Sequence, residues 1–326
     1  MSDSPCDVFF FEAFAEEEAA LRQHLPAGVR ATFTWKTIQE AALPALPARL
    51  ISVRTQSAIP PGWARDLAGI LTRSTGFDHL KAYRAATGVP VPCGYLPLYC
   101  NRAVAEQALL LWLALLRKLP QQLAQWHTFH RDGITGSECA GKTLTVVGVG
   151  NIGSEIVKIG RGLDMRVLGV DIVERYADVH YVAPAEGIAA ADILVCAMNL
   201  TEANRGYFNY DVLKNARRGV IFINIARGEC SPAVDLLRLL DEGHVGGVGL
   251  DVFNEEKELA VSLRNQVSSE DAEVRATLAL ARHTRVLLTP HNAFNTHEAV
   301  LRKSEQSMQQ AAHFLAHRAF LWPLPA

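Results

Sequence analysis

Short apolar runs alternate with stretches of helical periodicity through the first hundred residues of the chain. Five runs predict strands, at residues 7–14, 29–35, 49–55, 68–74 and 89–92. Residues 15–25 have the spacing of an amphipathic helix, and their first turn is acidic, which the helix dipole favours. Strands that alternate with helices are typical of parallel sheets, so this segment predicts an α/β domain.

A second α/β block is predicted from residue 141 to about residue 295. Its strand candidates are residues 143–149, 165–171, 192–198, 219–225, 245–252 and 285–289. These runs are almost continuously apolar, as expected for parallel strands that are covered on both faces. Residues 101–126 predict one long apolar helix, which Pro120 should kink or interrupt, and residues 296–317 predict a final helix.

Composition agrees with a globular protein of two domains. The chain has 326 residues, 49% of them hydrophobic and 20% charged, which excludes intrinsic disorder, collagen-like repeats and a coiled coil as the main architecture. The net charge of −2 gives no overall electrostatic sign of nucleic-acid binding. The longest apolar run, residues 108–116, is about half the length that a membrane span needs.

The cysteines and the first residues predict the cellular location. The six cysteines form no C-x-x-C pair, and a core of this size needs no disulfides, so free thiols are predicted rather than a metal site or a disulfide framework. The first residues, MSDSPCD, are polar and lack the basic region of a signal peptide. We therefore expect a cytoplasmic protein that binds no metal, no nucleic acid and no membrane.

A glycine-rich turn with the pattern G-x-G-x-x-G lies between a predicted strand and a predicted helix at residues 154–163. Gly148 allows the tight turn, Gly150 lets a pyrophosphate approach the backbone, and Gly153 allows the helix to pack closely on the strand. The helix N-terminus adds N–H groups and the positive end of its dipole. This context favours dinucleotide binding over an ordinary glycine-rich turn. The predicted cofactor-binding residues of the turn are Gly148, Gly150, Asn151, Ile152 and Gly153.

Asp171 ends the next predicted strand, eighteen positions after Gly153. A carboxylate at this place would accept hydrogen bonds from the adenosine ribose hydroxyls and repel a 2′-phosphate, so the sequence favours NAD over NADP. Arg175 lies nearby in the sequence and keeps NADP as the alternative. Because about 140 residues precede the turn, the cofactor domain is predicted to come second, after a substrate domain.

Charged or titratable residues follow three later predicted strands. They are Arg227 after the first, Asp251 with Glu255 and Glu256 after the second, and His291 after the third. Ligands of open α/β sheets bind at the carboxyl ends of the strands, which makes these residues candidates for chemistry. Taken alone, each would more often be a surface arginine or a structural histidine. Their order downstream of a cofactor turn favours function.

Four ordered segments, GVGNIG, INIARGE, GLDVFNEE and LTPHNA, together resemble the D-isomer-specific 2-hydroxyacid dehydrogenase family. The resemblance extends to residues 74–80 and 95–106, which are similar to the family's substrate loop and first interdomain crossing. It implies a two-domain α/β fold, with a Rossmann-type doubly wound parallel sheet and a flavodoxin-like α/β substrate domain formed by both chain ends. The implied boundaries are residues 1–100 and 296–326 for the substrate domain and 101–295 for the NAD-binding domain.

The resemblance also implies a catalytic set. Arg227 matches the arginine that binds the substrate carboxylate and polarises its carbonyl, and a guanidinium fork suits a planar carboxylate. His291 matches the acid/base histidine. Glu256, rather than Glu255, matches the carboxylate that orients this histidine.

Further contacts follow from the same resemblance. The implied cofactor contacts beyond the turn are Ile225, Ala226 and Asp251, the last at the nicotinamide end. In the substrate domain, the backbone amides around Thr75 and Gly76 resemble the family's carboxylate cradle. Tyr99 and Phe294 resemble walls of the substrate pocket, with simple packing as the alternative for both.

Departures from the family pattern concern the substrate. Lys257 stands where proline commonly follows the glutamate, and residues 257–284 are long and charged, with helical periodicity at 270–282. The longer interval and Phe294 are similar to the D-lactate dehydrogenase branch. Asn295 stands where that branch tends to carry an aromatic residue, which leaves the substrate side chain open. No regulatory domain is expected after residue 317, which argues against an allosteric phosphoglycerate enzyme.

The function implied by the resemblance is reversible hydride transfer between NAD(H) and a small D-2-hydroxy acid or 2-keto acid, lactate/pyruvate-like or related. The alternatives are an NAD-sensing corepressor-like binding protein and a phosphite or formate oxidant on the same scaffold. A homodimer through the cofactor domains is also implied, with the apolar helix at residues 101–126 as a candidate interface. Burial of this helix within its own chain is the alternative.

Overall fold

The computed structural model describes residues 6–325 and divides them into two compact units. One unit contains the described chain up to Cys100 and from Asn295 onward, and the other is Asn101–Phe294. The second boundary thus lies one residue before the expected one. Each unit contains a parallel β-sheet and α-helices, which confirms the predicted α/β class.

The N-terminal part of the first unit forms a five-stranded sheet. Its elements are β1 (Val8–Phe10), α1 (Ala15–Gln23), β2 (Ala31–Phe33), α2 (Ile38–Ala41), β3 (Leu50–Val53), a 3₁₀ turn (Pro61–Trp63), β4 (Gly69–Thr72), α3 (Asp78–Thr87) and β5 (Cys93–Gly94). The strand order is β2-β1-β3-β4-β5, and all neighbouring pairs are parallel. This is the flavodoxin-like order, in which the direction of winding changes between β1 and β3.

The position of β5 corrects one sequence prediction. Residues 89–92 were expected to form the strand, but Cys93 and Gly94 are the residues that pair with β4. Pro90 and Pro92 have no backbone N–H to donate to a neighbouring strand, and Pro92 contributes only its carbonyl, which accepts a hydrogen bond from Ile70 N–H at 2.9 Å.

The second unit forms a six-stranded sheet. Its elements are α4 (Asn101–Leu116), α5 (Leu119–Gln125), a 3₁₀ turn (Trp126–Thr128), β6 (Thr143–Val147), α6 (Asn151–Gly162), β7 (Arg166–Val170), α7 (Pro184–Ala190), β8 (Ile193–Cys196), a 3₁₀ turn (Glu202–Asn204), α8 (Tyr210–Lys214), β9 (Val220–Asn224), a 3₁₀ turn (Gly228–Cys230), α9 (Ala233–Asp241), β10 (Val245–Leu250), α10 (Glu256–Asn265), α11 (Ala272–Leu280) and β11 (Val286–Leu288). The order is β11-β10-β9-β8-β6-β7, and every neighbouring pair is parallel. All six strands lie inside their predicted apolar runs.

The single helix expected at residues 101–126 is in fact two helices, α4 and α5. Lys118 separates them with a left-handed φ of 52°. Pro120 has no N–H to donate to the Leu116 carbonyl, and that carbonyl instead accepts a hydrogen bond from Ser137 N–H at 2.9 Å. The interruption caused by Pro120 therefore falls two residues before it. The buried side of α4 packs on α6, β9 and β10 of its own unit.

The chain returns to the first unit with α12 (His297–His317). The hydroxyl of Thr296 caps this helix by accepting a hydrogen bond from Ala299 N–H at 3.2 Å. α12 packs against α1 and β4, so the C-terminal helix completes the first unit.

Two further features bear on the sequence predictions. All six cysteines are buried free thiols. Within residues 6–325, no helix combines the length and the apolar character that crossing a bilayer requires.

Candidate active site

The glycine-rich turn begins where β6 ends, and β6 is the strand whose neighbours β7 and β8 lie on its two opposite sides. Gly148 has a φ of 94°, in the left-handed region that glycine adopts readily. A Cβ at Gly153 would lie 2.1 Å from the Gly148 carbonyl oxygen, so a larger residue cannot pack α6 so closely on the turn. A Cβ at Gly150 would meet nothing within 4 Å. Gly150 therefore keeps a space open beside the backbone.

The first turn of α6 borders this open space and contains the half-buried residues Asn151 and Ile152. The N–H groups that begin a helix have no partner within it, and together with the dipole they favour a phosphate. The sheet changes its direction of winding here, which is where open α/β sheets bind ligands.

Asp171 follows β7 and points back to the turn. Its Oδ2 accepts a hydrogen bond from Val149 N–H at 2.6 Å, and its Oδ1 accepts one from Val173 N–H at 3.1 Å. A carboxylate has about four acceptor positions, so both oxygens keep capacity for ribose hydroxyls. The glycine cradle and this carboxylate fit NAD. Arg175, the basis of the NADP alternative, is exposed.

The strands β9, β10 and β11 end side by side. Asn224 pairs with Leu250, and Leu250 pairs with Leu288, so the last residues of the three strands are in register. The segments that carry Arg227, Asp251 and His291 consequently leave the sheet at the same edge.

Asn224 fixes the segment that carries Arg227. Its fully buried side chain donates from Nδ2 to the Arg227 carbonyl and to Ser231 Oγ, both at 2.8 Å. Its Oδ1 accepts a hydrogen bond from Ala226 N–H at 3.0 Å. Arg227 is half-buried, and its Nη1 donates to the Ala226 carbonyl at 2.8 Å. The backbone on both sides of the Arg227 amide is thus held by one asparagine.

Asp251 fixes the segment that carries His291. It is 1% exposed, and its Oδ1 accepts hydrogen bonds from Thr289 Oγ1 at 2.6 Å and Asn292 N–H at 2.9 Å. Its Oδ2 accepts one from Ala293 N–H at 2.9 Å. Burial raises the pKa of Asp251, and these hydrogen bonds oppose the rise. They hold a turn in which His291 has a φ of 51°, an uncommon value for a residue other than glycine.

His291 forms a close pair with Glu256, the first residue of α10. Its Nδ1 lies 2.9 Å from each carboxylate oxygen of Glu256. Because an ionised carboxylate only accepts hydrogen bonds, Nδ1 donates and Nε2 is the ring atom that can exchange a proton with another group. The structure therefore brings together His291 and Glu256.

The sequence analysis did not single out three residues that position this site, which are Gln107, Asn224 and Thr289. Gln107 Nε2 donates to Thr289 Oγ1 at 3.2 Å, which connects α4 to the hydrogen bonds of Asp251. Asn224 had a signal, because a polar residue in an apolar strand needs buried partners. Gln107 and Thr289 are 182 positions apart and had none.

The remaining cofactor candidates of the second unit lie near the same strand ends. Ile225 is buried directly after β9, and Ala226 is half-buried beside it. Phe294 is half-buried at the end of the segment that Asp251 holds.

In the first unit, the segment after β4 carries Thr75 and Gly76, both half-buried. Thr75 Oγ1 donates to the Leu96 carbonyl at 3.2 Å and lies 3.5 Å from Cys100 Sγ. Tyr99 is 4% exposed, and burial raises the pKa of its hydroxyl well above the ordinary value. The structure places Thr75 and Tyr99 on segments that these contacts join at the carboxyl edge of the first sheet.

Comparisons with known proteins identify the family of the chain. Residues 109–293 match the family model for the D-isomer specific 2-hydroxyacid dehydrogenase, NAD binding domain. The chain is 32% identical over 242 residues to a D-lactate dehydrogenase of Streptococcus agalactiae, covering 71% of each chain. It is 28% identical over 251 residues to a D-lactate dehydrogenase of Escherichia coli, covering 75% of each chain.

A solved structure shows the same fold. The D-lactate dehydrogenase of Aquifex aeolicus, complexed with NAD and lactic acid, superposes with a TM-score of 0.84 at 24% identity, covering 98% of this chain and 100% of that one. The resemblance inferred from the sequence and the choice of NAD are confirmed. The chain therefore belongs to the D-isomer specific 2-hydroxyacid dehydrogenase family of NAD-dependent oxidoreductases, which transfer hydride between 2-hydroxy acids and 2-keto acids.

Proposed function

We propose that this protein reduces a small 2-keto acid to the D-2-hydroxy acid, and catalyses the reverse reaction, with Arg227, His291 and Glu256 as the catalytic set. The observation that carries the proposal is the pair of 2.9 Å contacts between His291 Nδ1 and the Glu256 carboxylate. A histidine held in this way presents Nε2 as a proton donor to a carbonyl oxygen or as an acceptor from a hydroxyl.

Arg227 supplies fixed positive charge to the same reaction. Its guanidinium can bind the substrate carboxylate through two parallel hydrogen bonds and stabilise negative charge that develops on the carbonyl oxygen. Asn224 limits the mobility of the backbone from which this side chain extends. The positive charge of Arg227 is therefore already in place when negative charge develops on the substrate oxygen.

Bound NAD(H) supplies the hydride acceptor or donor in this chemistry. The cofactor would be held by the turn residues Gly148 to Gly153, by Asp171, and by Ile225 and Ala226. Asp251 is 1% exposed and already accepts three protein hydrogen bonds, which leaves little of its carboxylate for the expected contact with the nicotinamide end. We propose that Asp251 mainly positions the His291 turn. In the first unit, the amides around Thr75 and Gly76 would bind the substrate carboxylate, and Tyr99 would contact its side chain. In the second unit, Phe294 is the proposed contact for the substrate side chain.

Replacement of His291 tests the proposal. His291→Ala should lower the rate of keto-acid-dependent NADH oxidation by at least about a hundredfold, because general acid–base catalysis contributes this much. NADH binding, followed by fluorescence titration, should persist. His283→Ala is the matched control, because His283 contacts Asp241 at the surface and should be dispensable. Near-wild-type turnover of His291→Ala would overturn the assignment.

A steady-state screen of candidate substrates would identify the substrate. NADH oxidation is measured with pyruvate, hydroxypyruvate, glyoxylate, 2-ketoisocaproate and phenylpyruvate, and NAD reduction with phosphite and formate. We expect turnover with at least one 2-keto acid. Turnover with phosphite or formate alone would favour the oxidant alternative, and NADH binding without any turnover would favour a corepressor-like protein.

We also propose that the protein is a cytoplasmic homodimer. The helices α4 and α5 and the following 3₁₀ turn expose Leu110, Leu123, Trp126 and Phe129, although the opposite side of α4 is buried in its own unit. Exposed aromatic and aliphatic residues that lie close along one segment are typical of a protein interface. The cytoplasmic location rests on the six free thiols, which a reducing compartment preserves.

A further inference from the structure

The chain between Glu256 and His291 departs from the family pattern and folds mainly into two helices, α10 and α11. Glu256 is the first residue of α10, and α10 packs against α11. Two of the ten residues of α10, Leu259 and Ser262, are buried. The core therefore fixes this helix only weakly, and polar contacts have to hold the position of Glu256.

The first turn of α11 is joined to α10 by such contacts. Ser269 Oγ donates a hydrogen bond to Glu258 Oε1. The same hydroxyl accepts one from Asp271 N–H at 3.0 Å. Asp271 in turn caps α11, because its Oδ1 accepts hydrogen bonds from Glu273 N–H at 2.8 Å and Val274 N–H at 3.0 Å. The side chains at the start of α11 thus have fixed places beside α10.

Glu273, in this first turn, uses one carboxylate oxygen to join two segments of the site. Its Oε2 accepts a hydrogen bond from Ala233 N–H at 2.6 Å and another from Asn254 Nδ2 at 3.1 Å. Ala233 is the first residue of α9, whose N-cap residue Pro232 provides no side-chain hydrogen bond, and the helix dipole favours a carboxylate there. Asn254 lies two residues before Glu256. Glu273 therefore ties the segment that leads into α10 to the start of α9.

Backbone packing adds a second restraint on the segment that contains Asn254. A Cβ at Gly228 would lie 1.8 Å from the Phe253 carbonyl carbon and 2.2 Å from the Asn254 nitrogen, so the backbone after the catalytic arginine touches this peptide. Glu255, the next residue, has a φ of 49°, an uncommon value that persists only where the surroundings hold it. The hydrogen bond to Glu273 is the part of this restraint that one side-chain substitution removes.

We propose that Glu273 is a positioning residue: through Asn254 it holds Glu256 where the carboxylate can orient the catalytic histidine. The inference rests on the proposed keto-acid reduction, and it gives residues 257–284 a role in aligning the acid/base pair. Without the restraint both catalytic side chains remain present but are misaligned. Misalignment of groups that act in the transition state lowers the rate of the chemical step more than the binding of substrate.

Asn254→Ala tests the inference most directly, because it breaks the contact with Glu273 and leaves the hydrogen bond at the start of α9 intact. We expect kcat for the keto acid to fall about tenfold, with KM and the Kd for NADH nearly unchanged. Glu273→Leu should show the same fall in kcat and a lower melting temperature, since α9 loses its carboxylate cap. Glu273→Gln keeps an acceptor oxygen and should retain most of kcat. Glu270→Leu, at an exposed glutamate shortly before α11, is the matched control and should keep the wild-type kcat and KM.

Two further measurements separate positioning from a general structural effect. If Asn254 acts through Glu256, Asn254→Ala should lower kcat little further in a Glu256→Ala background. The other measurement does not depend on turnover and follows the proton NMR signal of the His291 Nδ1–H. This proton should exchange with water faster in Asn254→Ala than in wild type, and its signal should be absent in His291→Ala.

Wild-type kcat in Asn254→Ala would overturn the inference and leave the proposed function intact, and so would an equal loss of kcat in the presence and absence of Glu256. Failure of the proposed function would look different, because the wild-type protein would then oxidise NADH with none of the keto acids. In that case the NMR comparison still decides the inference, and equal exchange of the His291 proton in Asn254→Ala and wild type would overturn it.

Discussion

Two buried polar residues, Asn224 and Asp251, hold the segments that carry Arg227 and His291. Both lie at the ends of adjacent strands, and the Asp251 N–H donates to the Asn224 carbonyl at 3.0 Å. The two segments are therefore held through one continuous set of hydrogen bonds. A side chain that acts in this way positions a catalytic residue without touching the substrate, and a small displacement there can cost a large part of the rate.

Asn224→Asp tests this role of Asn224. The substitution replaces the Nδ2 donor by an oxygen that faces the Arg227 carbonyl, so the segment should shift, and kcat/KM for the keto acid should fall by at least about tenfold. Steady-state kinetics and a thermal unfolding scan provide the measurements. Asn215→Asp is the control, since Asn215 donates to the Asp211 carbonyl on the exposed surface. Unchanged kcat/KM in Asn224→Asp would contradict the positioning role.

The buried group of Glu17, Arg73 and Lys303 makes stability depend on pH. Burial raises the pKa of Glu17, but the charges of Arg73 and Lys303 outweigh it and lower that pKa to about 2. Burial lowers the pKa of Lys303 to about 7, against the attraction of Glu17. Glu17 therefore stays ionised, and Lys303 is the member that loses its proton. Between this pKa and its ordinary value of 10.5, Lys303 is protonated only in the unfolded chain, so stability rises with pH in that window.

Lys303→Met should remove this rise. We expect the variant to lose a slope of up to about 1.4 kcal/mol per pH unit in the free energy of unfolding between about pH 7.5 and 9.5. Urea unfolding at several pH values, followed by circular dichroism, measures the difference. Lys36→Met, at an exposed lysine of the same unit, should keep the wild-type slope. Parallel pH profiles of Lys303→Met and wild type would show that Lys303 keeps its proton in the folded protein.

At the scale of the elements, α6 and the turn before it contain two glycines with different purposes. One is required for folding, and the other is required for cofactor binding. Gly153 allows the close approach of the helix, whereas Gly150 borders open space. A Cβ at Gly162, the last residue of the same helix, would also meet nothing within 4 Å, and Gly162 has no positive φ. Both glycines border open space, but Gly150 is the extended residue that precedes α6 beside the turn, whereas Gly162 is helical and lies at the far end of the helix.

Gly150→Ala should therefore weaken NADH binding with little change in stability. The added methyl group would occupy the space through which a pyrophosphate approaches the N–H groups of α6, and we expect the Kd for NADH to rise about tenfold or more. Fluorescence titration measures this Kd. Gly162→Ala should bind NADH normally and gain up to about 1 kcal/mol in stability. Equal NADH affinity of Gly150→Ala and wild type would place the pyrophosphate elsewhere.

For the protein as a whole, the exposed apolar segment after α4 bears on assembly. Trp126 and Phe129 are 68% and 70% exposed. Trp35 in the other unit is 68% exposed and serves as a control residue of similar exposure. The apolar content of α4 first suggested an interface, but the packing of α4 on its own unit explains much of it. The exposed residues that follow α4 are therefore the feature that favours binding of a second copy of the chain.

Sedimentation tests the assembly. The wild-type protein should sediment at twice the chain mass of 35.7 kDa. A double variant with Trp126→Glu and Phe129→Glu should sediment as a monomer, because burying two carboxylates in an interface costs several kcal/mol. Trp35→Glu should remain dimeric. A monomeric wild-type protein at micromolar concentration would contradict the dimer.

The α/β class, the glycine turn, the order of the strands along the chain and the family could all be inferred before the structure was known. These features depend on local patterns: apolar runs of the length of a strand, a glycine spacing, and charged residues placed after strands. The same patterns predicted the strands of the second unit within a few residues of their observed ends. Local signals sufficed because each of these elements is specified by residues that are close in the sequence.

Which side chains meet was decided by the packing of the folded chain. The interruption by Pro120 could be expected from the sequence, but the donor that satisfies the freed Leu116 carbonyl, Ser137 N–H, comes from another segment and could not. Gln107 reaches Thr289, and Glu17 meets Lys303, across almost two hundred residues or more. Such contacts depend on how the elements pack, which no local pattern encodes.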